Sequence, residues 1–68
     1  MIATGKLRGI IAEKGLSQRK VAKRLGITEK TFYSKMKKGV FNSDEISAMI
    51  SILSISNPAD IFFANDGT

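Results

Sequence analysis

Sixty-eight residues leave room for one small domain, since a chain this short buries only ~60% of the surface it exposes when unfolded. The chain has no cysteine and no histidine, which excludes disulfides, a zinc site and any catalytic set built on a thiol or an imidazole. Its stability must come from the apolar share of a composition that is 43% hydrophobic and 25% charged. The net charge of +5 is unevenly spread: residues 1–39 hold all eleven Lys and Arg against only Glu13 and Glu29, while residues 40–68 carry Asp44, Glu45, Asp60 and Asp66 and no base.

The hydrophobic pattern predicts five short helices and no strand, because hairpin dipeptides and strict alternation are missing. The first helix is expected to follow Thr4 as N-cap, to bury Leu7, Ile10 and Ile11, and to end at Gly15, with Leu16 bridging onward. Ser17 caps a second helix with apolar positions at Val21, Ala22 and Leu25, closed by Gly26. Thr28 caps a third that runs to about Lys38 and stops at Gly39. Asn42 or Ser43 caps a fourth, with Glu45 in capping-box register to Asn42 and a stripe of Ile46, Met49, Ile50 and Leu53. Asn57-Pro58 starts the fifth, Asp60 complements its dipole, Ile61, Phe62 and Phe63 follow, and residues 65–68 are expected to fray.

No linker, repeat or low-complexity segment interrupts the chain, so residues 1–68 read as a single domain. Charges at Lys6 and Arg8 forestall an export signal, and the apolar stretch 46–55 is far short of the ~20 residues a membrane span needs. A soluble protein of the reducing cytoplasm is the expectation.

The stretch VAKRLGITEKTFY, residues 21–33, is made of good helix formers around one glycine, yet it reads as two helices. A helix end in the left-handed conformation costs a non-glycine residue roughly 1–2 kcal/mol, which Gly26 avoids. Ile27 then fills the angle between helices and Thr28 restarts the chain. A close crossing explains the small Ala22, against which Phe32 is expected to pack together with Leu25. This pattern predicts a helix-turn-helix over about residues 17–38, which would present its second helix to the DNA major groove; the alternative that the pattern alone leaves open is an ordinary αα-corner. At 100° per residue, Phe32 and Met36 facing inward put Lys30, Ser34, Lys37 and Lys38 outward and Tyr33 on a flank.

These residues resemble the Cro and phage-repressor type of helix-turn-helix regulators, and the resemblance spans Leu7 to Phe63. GLSQRKVAKRLGITEKTF is similar to the family signature, and NSDEISAMISILSIS followed by ADIFF resembles the closing helices of small phage-encoded members. The resemblance implies an all-α, compact five-helix repressor-like DNA-binding domain. It further implies a phosphate contact at the start of the second helix and base reading at the front of the third, places occupied here by Gln18, Lys30 and Ser34.

The expected function is that of a sequence-specific regulator of double-stranded DNA, of phage or mobile-element origin. Lys30, Tyr33 and Ser34 lie nearest base edges and Thr31 assists at the groove wall, while Gln18, Arg19, the amides near Thr28, Lys37 and Lys38 grip phosphates. Glu29 has two roles open to it, accepting from a cytosine amino group or complementing the helix dipole. Lys6, Arg8, Lys20, Lys23 and Arg24 read as solvated surface supplying general attraction. One such helix covers few base pairs, so a homodimer on a palindromic operator is expected. Phe41 and Ile61–Phe63 are weighed as dimer contacts against ordinary core, with core preferred. No metal, cofactor or enzymatic activity is expected, and the spread of basic residues over three short helices disfavours a membrane surface. The alternative partner is a protein: an antirepressor of this fold would pair with a repressor instead of with DNA.

Overall fold

The computed structural model describes residues 2–63, which form five helices and, among the described residues, no strand. The expectation for residues 65–68 lies outside the described residues. In chain order the elements are α1 (Thr4–Glu13), α2 (Gln18–Leu25), α3 (Glu29–Lys38), α4 (Ser43–Ile52) and α5 (Pro58–Phe62).

Three of the helices start at side-chain caps of the kind the sequence encodes. Ser17 Oγ accepts from the Lys20 N–H at 3.1 Å and Thr28 Oγ1 from the Thr31 N–H at 3.1 Å. Asn42 Oδ1 accepts from the Glu45 N–H at 2.8 Å while the Glu45 carboxylate accepts from the Asn42 N–H at 2.9 Å, a complete capping box. Asn42, not Ser43, is therefore the cap of α4.

The start of α1 departs from expectation. Thr4 is the first residue inside the helix, Ala3 precedes it, and no side chain caps it. What fixes this end is tertiary: the Ala3 N–H donates to the Ile61 carbonyl at 2.7 Å, joining the chain start to α5. Nearby, Lys6 Nζ lies 3.1 Å from Asp60 Oδ2, with both side chains 58% exposed, so this ion pair adds little stability. Lys6 is thus surface, as expected, but partnered.

The core draws on every helix. Leu7 and Ile11 of α1, Val21 and Ala22 of α2, Phe32 and Met36 of α3, Met49 of α4 with Leu53, and Ile61 and Phe62 of α5 are all buried. Ile10, Leu25, Ile27, Ile46 and Ile50 are half-buried against them. Phe41 is a core residue, the preferred of its two readings, 7% exposed, with its ring centroid 5.4 Å from that of Phe32 and tilted by 53°. Such a tilted pairing sets a ring edge near a ring face, which the aromatic quadrupole favours. Of the Ile61–Phe63 end, only Phe63 faces solvent.

Candidate nucleic-acid interface

The interface candidate is α2, the turn after it, and α3, and its geometry follows from how α2 ends. Gly26 adopts φ 79° and ψ 24°, a left-handed conformation. That reversal lets the Gly26 N–H reach the Lys23 carbonyl at 3.1 Å and the Ile27 N–H reach back to the Ala22 carbonyl at 3.1 Å, so these two of the last carbonyls of α2 find partners within the chain. Ile27 is half-buried against the core, and Thr28 returns the backbone to an extended conformation, from which α3 begins. Only residues 26–28 separate the two helices, and α2 packs more extensively on α3 than on any other element.

On α3 the inward row is Phe32 and Met36, one residue per turn. Lys30, Thr31, Tyr33, Ser34, Lys37 and Lys38 are all exposed, and Tyr33 is 48% exposed. At the head of the motif Gln18 is the half-buried first residue of α2 and Arg19 is exposed beside it. Among the described residues only Lys6 and Lys35 form ion pairs, so no carboxylate lies in salt-bridge contact with Arg19, Lys30, Lys37 or Lys38. No pocket opens among the described residues, and no three His, Cys, Asp or Glu side chains gather there to hold a metal. What α3 offers a partner is a raised, basic, polar ridge.

Two local arrangements refine the chemistry of that ridge. The Thr28 hydroxyl donates to Thr31 Oγ1 at 2.9 Å while its oxygen caps α3, so Thr28's side chain is used within the protein and Thr31 keeps its own hydroxyl proton to donate. At Thr28, what remains for an anion is the helix start itself, the amides of Glu29 and Lys30 that have no helical acceptor. One turn on, the Tyr33 hydroxyl donates to Glu29 Oε2 at 3.0 Å. That hydrogen bond, and then the negative charge of Glu29, raise the Tyr33 phenol above its ordinary value of 10.0. Glu29 therefore stands in the first turn, as the dipole reading has it, but with a partner the spacing alone did not reveal.

A second pairing was invisible to periodicity. Lys35 Nζ donates to both carboxylate oxygens of Glu45, at 2.8 and 2.6 Å, and Glu45 is 7% exposed. Burial alone would raise the Glu45 carboxyl. The hydrogen bonds from Lys35 and the Asn42 N–H, with the charge of Lys35, outweigh it and hold the group below its usual 4.5. The sequence signal available was the position of the lysine, next to Met36 and so on the flank of the inward row, where the structure half-buries it.

This arrangement of capped helices, glycine turn and basic outer ridge agrees with comparison to known families, where residues 6–66 match the Cro/C1-type HTH DNA-binding domain. The chain belongs to that family. No curated protein and no solved structure matches it. The Cro/C1-type assignment makes this a helix-turn-helix domain that binds double-stranded DNA. Among the described residues no helix is long and apolar enough to cross a membrane.

Proposed function

We propose that this Cro/C1-type domain is a sequence-specific transcriptional regulator that lays α3 in the major groove, as repressors of phage or mobile-element origin do. The single observation that carries the reading is the two-sidedness of α3: Phe32 and Met36 are sealed in the core while Lys30, Thr31, Tyr33 and Ser34 stand exposed on its leading half. Lys30 and Ser34 are assigned to base edges, with Tyr33 beside them and Thr31 donating at the groove wall. Gln18, Arg19, the α3 start at Thr28, Lys37 and Lys38 are assigned to phosphates. Residues 1–68 act as one domain, and two copies grip a palindromic operator from one face of the duplex. The role is that of a cytoplasmic binding protein, with no cofactor or catalysis required.

The test is selection of bound duplexes from a random pool, repeated with variants and at several salt concentrations. Affinity should fall by ~0.9 log units per decade of salt for each phosphate neutralised. Lys30→Ala and Ser34→Ala should change which sequences are enriched, whereas Lys37→Ala should weaken all sequences alike. A flat salt response, or identical enrichment from every variant, removes the reading. Capture of a repressor protein with no duplex retained replaces it with the antirepressor role.

A further inference from the structure

The recognition ridge is steered by a side chain that does not belong to it. The residues that anchor α3 inward, Phe32 and Met36, form one row of two side chains, and α3 packs chiefly on α2. A single row holds a helix at its distance from a neighbour but resists rolling about its own axis poorly. Rolling matters here: with a helix diameter near 10–12 Å, a roll of about 20° carries a side-chain tip by about 2 Å. That displacement exceeds the whole tolerance of a hydrogen bond to a base edge.

Lys35 lies next to Met36, to one side of the inward row, and only 29% of its side chain is exposed. Its ammonium holds both oxygens of Glu45, and Glu45 is itself immobilised, because its carboxylate also accepts from the Asn42 N–H and its own N–H donates to Asn42 Oδ1. The capping box of α4 therefore serves as a fixed post, and Lys35 is a stay running from that post to the flank of α3. No buried side-chain polar atom among the described residues lacks a partner, so the junction is closed.

We propose that Lys35 is a positioning residue for DNA reading: through Glu45 it sets the roll of α3 against α4, and it gives no charge to phosphates. The proposal rests on the groove-binding reading above and adds to it. It divides the lysines of α3 by function, with Lys30, Lys37 and Lys38 turned to DNA and Lys35 turned to the protein. A buried ion pair adds little net stability relative to neutral side chains of similar size, so orientation is the better account of its presence.

The deciding variant is the double substitution Lys35→Met with Glu45→Gln, which removes both charges together and keeps an oxygen to accept from the Asn42 N–H. Its affinity is compared on two probes, the duplex that the wild-type chain selects from a random pool and a mixed-sequence duplex of the same length. The ratio of the two affinities should fall by about tenfold or more, the cost of at least one misplaced base contact. The salt slope should stay at the wild-type value, and Lys35→Arg, which keeps the bridge, should keep the ratio. If the double variant unfolds, Lys35→Gln carries the same comparison with Glu45 and its cap in place.

A wild-type ratio in the folded double variant overturns the proposal. So does a slope reduced by ~0.9, which would make Lys35 a phosphate ligand. Amide hydrogen exchange in the free protein decides the tether without DNA. Exchange should quicken over the last turn of α3 and not in α2, and unchanged exchange in α3 refutes the tether. If the wild-type chain binds no duplex, the groove reading fails on that result alone, and hydrogen exchange still judges the tether.

Discussion

Tyr33 is the only tyrosine in a chain without tryptophan, so its absorbance and emission report on one position of the recognition helix with no label. Its hydroxyl donates to Glu29, and that bond, followed by the carboxylate's charge, raises the phenol above 10.0. An alkaline titration followed by tyrosinate absorbance should therefore show a midpoint above 10.0, and Glu29→Gln should bring it down. An identical midpoint in the variant would mean that the pair does not persist in solution. The i, i+4 spacing of Glu29 and Tyr33 is plain in the sequence, but spacing only makes two side chains neighbours on a helix. Whether Glu29 turns to the helix start, to a base or to Tyr33 depends on rotamers, which a sequence does not list.

Helix ends are where this chain commits to its fold, and they differ in how they do so. At Gly26 an added Cβ would meet nothing within 4 Å, so Gly26→Ala isolates the backbone term: φ of 79° should cost the variant roughly 1–2 kcal/mol, read from a denaturant midpoint. Ser54 offers the converse. It holds φ 50° just past α4 with no glycine to ease it, and Ser54→Gly should gain about 0.5 kcal/mol after the added chain entropy is subtracted. If the two substitutions shift stability in the same direction, something other than backbone conformation governs these turns. The cap at Asn42 brings in pH. Glu45 binds its proton more weakly folded than unfolded, so it contributes stability above pH about 4.5 that is lost as pH falls through its lower folded value. Melts at successive acid pH values should show Glu45→Gln losing less stability on acidification than wild type, and parallel curves would count against the Lys35–Glu45 bridge. These elements also mark what a sequence can disclose. Ser17 and Thr28 as starts, the start of α4 to within Asn42 or Ser43, and Gly15, Gly26 and Gly39 as stops were legible, because each is a local chemical choice completed within four or five residues. Thr4 was misread because the start of α1 is held by Ile61; Phe41 was read as core but its pairing with Phe32 was not, and the Lys35 pairing was out of reach because Glu45 lies across a loop. Thus the helices and the outward face of α3 could be read in advance, while the contacts that orient that face could not.

Across the described residues, the basic side chains sit on α1 to α3 and the turn after α1, and the acidic ones of the second half, Asp44, Glu45 and Asp60, on α4 and α5. The net charge of +5 draws the domain toward a polyanion, and the exposed Lys30, Lys37 and Lys38 favour approach with α3 leading. Orientation is not affinity, however, because one α3 of ten residues touches few base pairs. The proposed two-fold pair solves this by doubling the contacts, provided that the half-sites lie about 34 Å apart on one face of the duplex. Inserting about five base pairs between half-sites turns one of them to the opposite face. Binding to the altered duplex, measured by mobility shift, should drop to the strength of a single half-site, and light scattering should count two chains on the native spacing and one on the altered one. Affinity indifferent to spacing would mean that single domains bind independently. Phe63, 64% exposed at the end of α5, is the contact to try first: Phe63→Ser should then weaken the paired complex and leave binding to an isolated half-site unchanged.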